Sequence, residues 1–207
     1  MNNASLADGP LTVADENSRI AEWVLQAQAG NETAFHRLVD LHQAEIFRMI
    51  YYRTRSHMDA EDLTQDVFLR AFRHIRRLAS PELFRSWLYR IAINRVRDHH
   101  RQNRIKSFIG LVSMDDDNFH ETEEMAVAPI ASQTLDQQDF WKRVRQLLTQ
   151  LSRMEREVFL LRFFDQLSIK EIGTAMGKNE NTVKTHLYRA LHKVKAADDT
   201  EGLWEGI

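Results

Sequence analysis

Three features of the sequence predict an all-α protein, built as two helical domains on either side of a flexible acidic linker, the second containing a helix-turn-helix. Only 7 Gly and 3 Pro occur in 207 residues, too few turn formers for a many-stranded fold. Apolar residues recur three and four positions apart through most of the chain, the spacing of one helix face. The formal net charge of −2 averages over successive blocks of opposite sign, as expected for separate bodies with different partners.

Asn17 or Ser18 can cap a first helix with Ile20, Trp23, Val24 and Ala27 on one face, and Gly30 suits the position just past its end. Asn31 can cap a second, whose stripe of Phe35, Leu38, Val39, Leu41, Ile46, Phe47 and Ile50 runs to about Arg55. A third covers Asp59 to Leu78, with acids at its positive dipole end and Leu63, Val67, Phe68, Ala71, Phe72 and Ile75 at core spacing. Its other face, Asp62, Gln65, Asp66, Arg70 and Arg73, reads from the pattern alone as solvated surface. Ser80 before Pro81 starts a fourth, with Phe84, Trp87, Leu88, Ile91, Ala92 and Val96 toward the core.

That fourth helix carries a basic block. Arg85 to Lys106 holds seven bases against Asp98 alone, a local charge of +6, and its apolar stripe fades after Val96. A projecting basic helix suits an anionic partner. Residues 107–134 lose periodicity and contain Gly110 and Pro129, and the stretch from Ser107 to Phe140 has eight acids and no base, which reads as a flexible linker unable to bind DNA. Asp115, Asp116 and Asp117 lack the alternating ligands and central Gly of a calcium loop, and adjacent His99 and His100 point too far apart on a helix to share an ion. No metal or cofactor is expected.

From Trp141 to Ala197 bases exceed acids by seven. Phe140 to Leu151 is amphipathic; Ser152 with Glu155, and Ser168 with Glu171, each form a capping box. Gly177 ends a short helix and Asn179 caps a longer one, so short helix, glycine turn and long basic helix give helix-turn-helix geometry, or a helical hairpin used only for packing. Val183, Leu187, Ala190, Leu191 and Val194 can face the core, leaving Glu180, Asn181, Lys184, Thr185, Tyr188 and Arg189 outward, where such a helix meets base edges and phosphates.

Three runs resemble one family. Phe84-Arg-Ser-Trp-Leu-Tyr-Arg-Ile-Ala-Ile-Asn-Arg-Val-Arg-Asp98 is similar to the second region of extracytoplasmic-function (ECF) sigma factors of bacterial RNA polymerase, and Asp59-Ala-Glu-Asp-Leu-Thr-Gln-Asp-Val-Phe68 to the polymerase-binding helix before it. Leu167 to Lys195 resembles their fourth region, including Thr182-Val-Lys-Thr-His-Leu-Tyr-Arg-Ala-Leu191. The resemblance implies a non-enzymatic sigma factor with region two over 18–106, linker over 107–134 and region four over 135–197. It implies that Asp62, Gln65, Asp66 and Phe68 meet the β′ clamp of core polymerase, and that region four also meets the β flap. Promoter DNA would be read at minus ten by Arg85, Asn94, Arg97 and Arg101, with Trp87 kept for the core. At minus thirty-five the readers would be Asn181, Thr182, Lys184, Thr185, Tyr188 and Arg189. An anti-sigma factor is a further implied partner.

The departures are Asn181 where relatives often carry Gly and His186 where many carry Arg, which leaves base preference open. The competing readings are an operator-binding dimeric regulator with a ligand-sensing N-terminal domain and a helical adaptor protein. The basic N-terminal part lacks an effector constellation, and the basic helices disfavour an adaptor. No paired carboxylates, nucleophile motif or phosphate loop suggests an enzyme. With no Cys, no run of about 18 apolar residues and a polar start from Met1 to Ser18, the chain is expected in the cytoplasm without membrane insertion. Limited proteolysis should cut first within 107–134; uniform resistance there, with cleavage elsewhere, would contradict the linker.

Overall fold

A computed structural model describes residues 13–108 and 146–198, and all regular structure within them is helical. Helix α1 (Val13–Gln28) starts ahead of the expected caps, so Asn17 and Ser18 lie inside it. No Gly or Pro separates Val13 from Ser18, so nothing halts the helix there. Its C-terminus closes at Gly30, whose φ of +98° is the left-handed region that glycine enters without strain. Asn31 then caps α2 (Glu32–Thr54), its side chain accepting from the Ala34 amide at 3.1 Å.

Ser56 caps α3 (His57–His74), accepting from the Asp59 amide at 3.2 Å, so this helix begins two residues before the expected start. The chain leaves it through a 3₁₀ turn, Ile75–Arg77, and a second, Pro81–Leu83, before α4 (Phe84–Phe108). Ser80 makes no side-chain capping bond, which corrects its expected role: Pro81 opens the 3₁₀ turn, and α4 starts only at Phe84. Gln28 at the end of α1 donates to the carbonyls of Ile75 (2.9 Å) and Leu78 (2.7 Å), fixing the entry to the α3–α4 loop.

Residues 107–134, read as linker, fall almost wholly outside the described residues. Beyond them come α5, described over 146–150, α6 (Arg153–Phe163), α7 (Ile169–Met176) and α8 (Glu180–Asp198). Both capping boxes form. Ser152 accepts from the Glu155 amide while Glu155 accepts from the Ser152 amide, and Ser168 and Glu171 repeat the exchange. Gly177 closes α7 at φ +64°, and Asn179 caps α8 by accepting from the Thr182 amide at 2.7 Å.

The two helical domains pack against each other. One apolar core runs from Val24, Leu38, Met49, Val67, Phe84, Leu88 and Tyr89 into Val158, Leu161, Leu167, Ile172, Ala175 and Met176, because α7 lies along α4. A smaller core joins Leu147, Leu148 and Leu151 to Phe159, Leu160, Ala190 and Val194. Helix α6 therefore buries opposite faces in two cores.

Glu155 links α6 to α8 as well as capping. Its Oε2 accepts from Lys193 Nζ at 2.7 Å; this bond, and then the Ser152 amide, hold its pKa down to about 2. A depressed carboxylate pKa adds stability above the ordinary value of 4.5 and loses it as pH falls toward 2. Glu155→Ala should lower the free energy of unfolding by about 1 kcal/mol at pH 7, from a lost cap, and by less at pH 3. Urea titrations followed by circular dichroism check this, and an equal loss at both pH values would contradict it.

Candidate nucleic-acid and partner interfaces

Helix α8 is positioned by the turn before it. A Cβ on Gly173 would stand 2.8 Å from the Lys178 carbonyl oxygen, closer than such contacts allow, so only glycine lets the turn fold back across α7. Val183, Ala190 and Val194 are buried, Leu187 is half-buried, and Asn181, Lys184, Thr185, Tyr188 and Arg189 are exposed together. Thr182 is half-buried at the edge of that face. Leu191, expected in the core, is 40% exposed: Ala190 and Val194 already fill the side that meets α5 and α6. The Thr185 hydroxyl donates to the Asn181 carbonyl at 2.8 Å, leaving its methyl and lone pairs outward, and Lys184 lies 3.8 Å from Glu180.

Helix α4 has two polar faces. Asn94 and Arg101 are exposed and Arg97 half-exposed, and successive steps of about 100° bring them onto one stripe with exposed Arg90. Arg90 was absent from the expected contacts, although its spacing of four from Asn94 and seven from Arg97 signals it. Arg85 does not join them. It lies between about 120° and 180° around the helix, where it meets Glu45 (3.0 Å), Glu171 (3.4 Å) and the Asp165 carbonyl (2.9 Å). Trp87 is half-buried beside Phe84, in the core role expected for it. His99 packs toward Asp59 at 3.7 Å and bonds Asn103 at 3.0 Å.

On α3, Asp62 and Gln65 are exposed, while Asp66 is half-buried and pairs with Arg70 (3.1 Å) and Arg95. Phe68 is turned into the core at 8% exposure and seats the helix, so it does not share the outer face. Two apolar residues do. Leu69 is 54% exposed and Phe72, expected in the core, is 47% exposed, its ring edge-on to that of Phe35 with centroids 5.0 Å apart. Leu69 lies seven residues after Asp62, the heptad relation that could have revealed it.

Between the halves lies a charge cluster that no local pattern announced. Arg53 on α2 donates through Nε to Glu157 (3.1 Å), through Nη2 to Asp165 (3.1 Å) and through Nη1 to the Met49 carbonyl (2.8 Å). Burial alone would lower the Arg53 pKa, but Glu157 and Asp165 raise it, so the guanidinium stays charged. Burial pushes the Asp165 carboxyl up against the pull of Arg53, and its Oδ1 has no hydrogen-bond partner among the described residues. Glu45 is held below the usual range: burial opposes this, but hydrogen bonds with His42 and Arg85 outweigh it. Burial also raises the Tyr89 hydroxyl pKa.

No group of three or more potential metal ligands occurs among the described residues, and no described helix is long and apolar enough to cross a membrane. Family models match over residues 38–105 (Sigma-70 region 2) and 141–194 (Sigma-70, region 4). The chain is 37% identical to the ECF RNA polymerase sigma factor BldN of Streptomyces coelicolor, over 85% of this chain and 64% of that protein. It is 30% identical to the RNA polymerase sigma factor SigV of Bacillus subtilis, over 72% and 82%. It is 26% identical to the ECF sigma factor SigW of the same organism, over 85% and 95%. CnrH, solved in complex with the cytosolic domain of CnrY, shares the fold at a TM-score of 0.64 and 24% identity, covering 88% of this chain and 99% of that one.

Alanine at two α8 positions separates base reading from charge. Thr185→Ala should change preference by about 1–3 kcal/mol at one base pair of a duplex site, whereas Arg189→Ala should weaken all sequences alike and reduce the salt slope by about one unit. Titrations of a duplex library at several salt concentrations decide; wild-type affinity and specificity in both variants would remove α8 from the interface.

Proposed function

Because the chain belongs to the ECF sigma factor family of RNA polymerase, we propose that it binds core polymerase, directs it to specific promoters and assists their opening. The observation that carries this reading is the outer face of α8: five side chains able to contact bases or phosphates are exposed together on a helix whose opposite side is packed. Asn181, Thr182, Lys184, Thr185, Tyr188 and Arg189 would serve the minus-thirty-five element. The α4 stripe, Arg90, Asn94, Arg97 and Arg101, would serve the minus-ten element, and Arg85 would join only once free of its carboxylates.

Asp62, Gln65 and Asp66, with Leu69 and Phe72, form the proposed surface for the polymerase clamp. Exposed apolar side chains within a polar rim suit a protein interface. The C-terminal half would reach the β flap, an anti-sigma factor would compete for these surfaces, and the protein would act in the cytoplasm beside the polymerase. Extruding a base costs a few kcal/mol and one stacked or pocketed base returns about 1–3, so melting needs the polymerase cleft as well.

Run-off transcription with purified core polymerase tests the proposal. The wild-type chain should yield promoter-specific transcripts without ATP hydrolysis for melting. The pair Asp62→Arg with Leu69→Asp, both on exposed positions, should weaken core binding by about tenfold or more while the helical spectrum is unchanged. A folded double variant that joins core polymerase with undiminished affinity would remove α3 from the interface.

A further inference from the structure

Helix α1 lies outside the residues matched as Sigma-70 region 2, 38–105, and no site residue was expected on it. It nevertheless packs against both 3₁₀ turns between α3 and α4. Gln28 makes the tie: its Nε2 donates to the Ile75 carbonyl at 2.9 Å and to the Leu78 carbonyl at 2.7 Å, across 47 and 50 residues of sequence. An amide nitrogen carries two hydrogens, so both are committed to this segment. Ile75 also accepts from the Leu78 amide, but among the described residues no backbone amide donates to the Leu78 carbonyl, which Gln28 alone of the side chains described satisfies. Arg76 adds a second contact: a Cβ on Gly30 would stand 3.7 Å from its Nη2, so its guanidinium lies against the α1–α2 turn.

The segment so held stands at the end of the proposed minus-ten face. Steps of seven back along α4 from Arg97 pass through Arg90 to Leu83, the last residue of the second 3₁₀ turn. The stripe of Arg101, Arg97, Asn94 and Arg90 therefore points along the helix at the loop. Arg76, Arg77 and Ala79 are exposed there, and Pro81 and Leu83 are half-buried, so the loop offers apolar surface between the cations of α4 and those of the first turn. Leu25, one turn before Gln28, adds an apolar side chain 55% exposed on the flank of α1. A melted strand whose phosphates follow the stripe toward the start of α4 arrives at this loop, where an unstacked base meets apolar side chains instead of water. The loop lacks internal support. Leu78 and Ser80 are extended, and Ser80 makes no capping bond, so its shape depends on what α1 supplies.

We propose that Gln28 is a positioning residue for minus-ten recognition: by clamping the Ile75 and Leu78 carbonyls it holds residues 78–83 in the shape that receives one base of the melted strand. The proposal deepens the sigma-factor reading and rests on it. Three substitutions isolate the clamp. Gln28→Glu keeps the shape but turns a carboxylate without hydrogens toward two carbonyl oxygens, and Gln28→Met keeps the length without a donor. Gln28→Lys brings three donors back to the same place and is the rescue variant.

The test uses the complex of the chain with core polymerase and a promoter that the wild-type complex selects from a randomised DNA library. Single-stranded oligonucleotides carrying its minus-ten element, with an abasic site walked through them, are titrated by fluorescence anisotropy. In the wild type, an abasic site at the base held by the loop should cost about tenfold in affinity. In Gln28→Glu and Gln28→Met that one penalty should shrink to about twofold or less, because two hydrogen bonds of about two- to tenfold each no longer order the loop. Penalties at the other positions, and binding to a duplex minus-thirty-five site, should stay as in the wild type, and Gln28→Lys should restore the lost penalty. A uniform fall in affinity for all oligonucleotides, unaltered penalties in a folded Gln28→Glu, or a Gln28→Lys as defective as Gln28→Glu would each overturn the clamp. So would a transcribing wild-type complex with no abasic penalty at any position. A wild type that joins no polymerase and yields no transcript would instead overturn the sigma-factor reading.

Discussion

A guanidinium keeps its proton inside a protein, so a buried arginine dictates what must surround it. Arg53 is such a residue, and its carboxylates arrive from more than a hundred positions later in the chain. Asp165 reaches it because the segment between α6 and α7 is tightly wound: the Phe164 and Asp165 amides both donate to the Leu160 carbonyl, and Gln166 takes the left-handed backbone at φ +55°. Arg162 steadies the far side by donating to the Leu167 carbonyl at 3.0 Å. The packing of α7 on α4, the shared core and the restraint on Arg85 all accompany this one neutralisation. Removing either partner alone would leave an uncompensated charge in a dry place, which is why the cluster holds both halves to one geometry.

Helix α4 shows how one segment serves two surfaces without a change of secondary structure. Its rotation of about 100° per residue sends Arg85 and Tyr89 toward the C-terminal half, and Arg90, Asn94, Arg97 and Arg101 outward. Arg95 takes a third direction and ties α4 to Asp66 on α3. The helix nearest the proposed minus-ten contacts is thus braced against the helix nearest the proposed polymerase contacts. Asp66 acts in this brace even though its neighbours Asp62 and Gln65 face solvent.

Local chemistry was legible wherever its signal spans a few residues. Asn31, Asn179, both Ser/Glu capping boxes and the left-handed glycines follow from side-chain reach and backbone preference, and the structure forms them as read. Periodicity was less exact at face edges. Phe72 and Leu191 have core spacing yet lie where neighbouring helices cover them only in part, while Leu69 stands among polar residues. The α1 start was missed because a plausible cap inside a helix looks like a cap at its end. Docking was illegible for a different reason: no spacing rule joins Arg53 to Glu157 and Asp165, and Arg85 counted toward a basic block gave no sign of which way it turned.

Helix α6 buries Val158 and Leu161 on one side and Phe159 and Leu160 on the other. The second side is covered by α5 and α8 and the first packs with α7 of the same half, so the surface shared with the N-terminal half is chiefly the α7 face that lies along α4. A chain whose halves parted would wet the α7 face that lies along α4, an apolar strip of the kind that chaperones and proteases select.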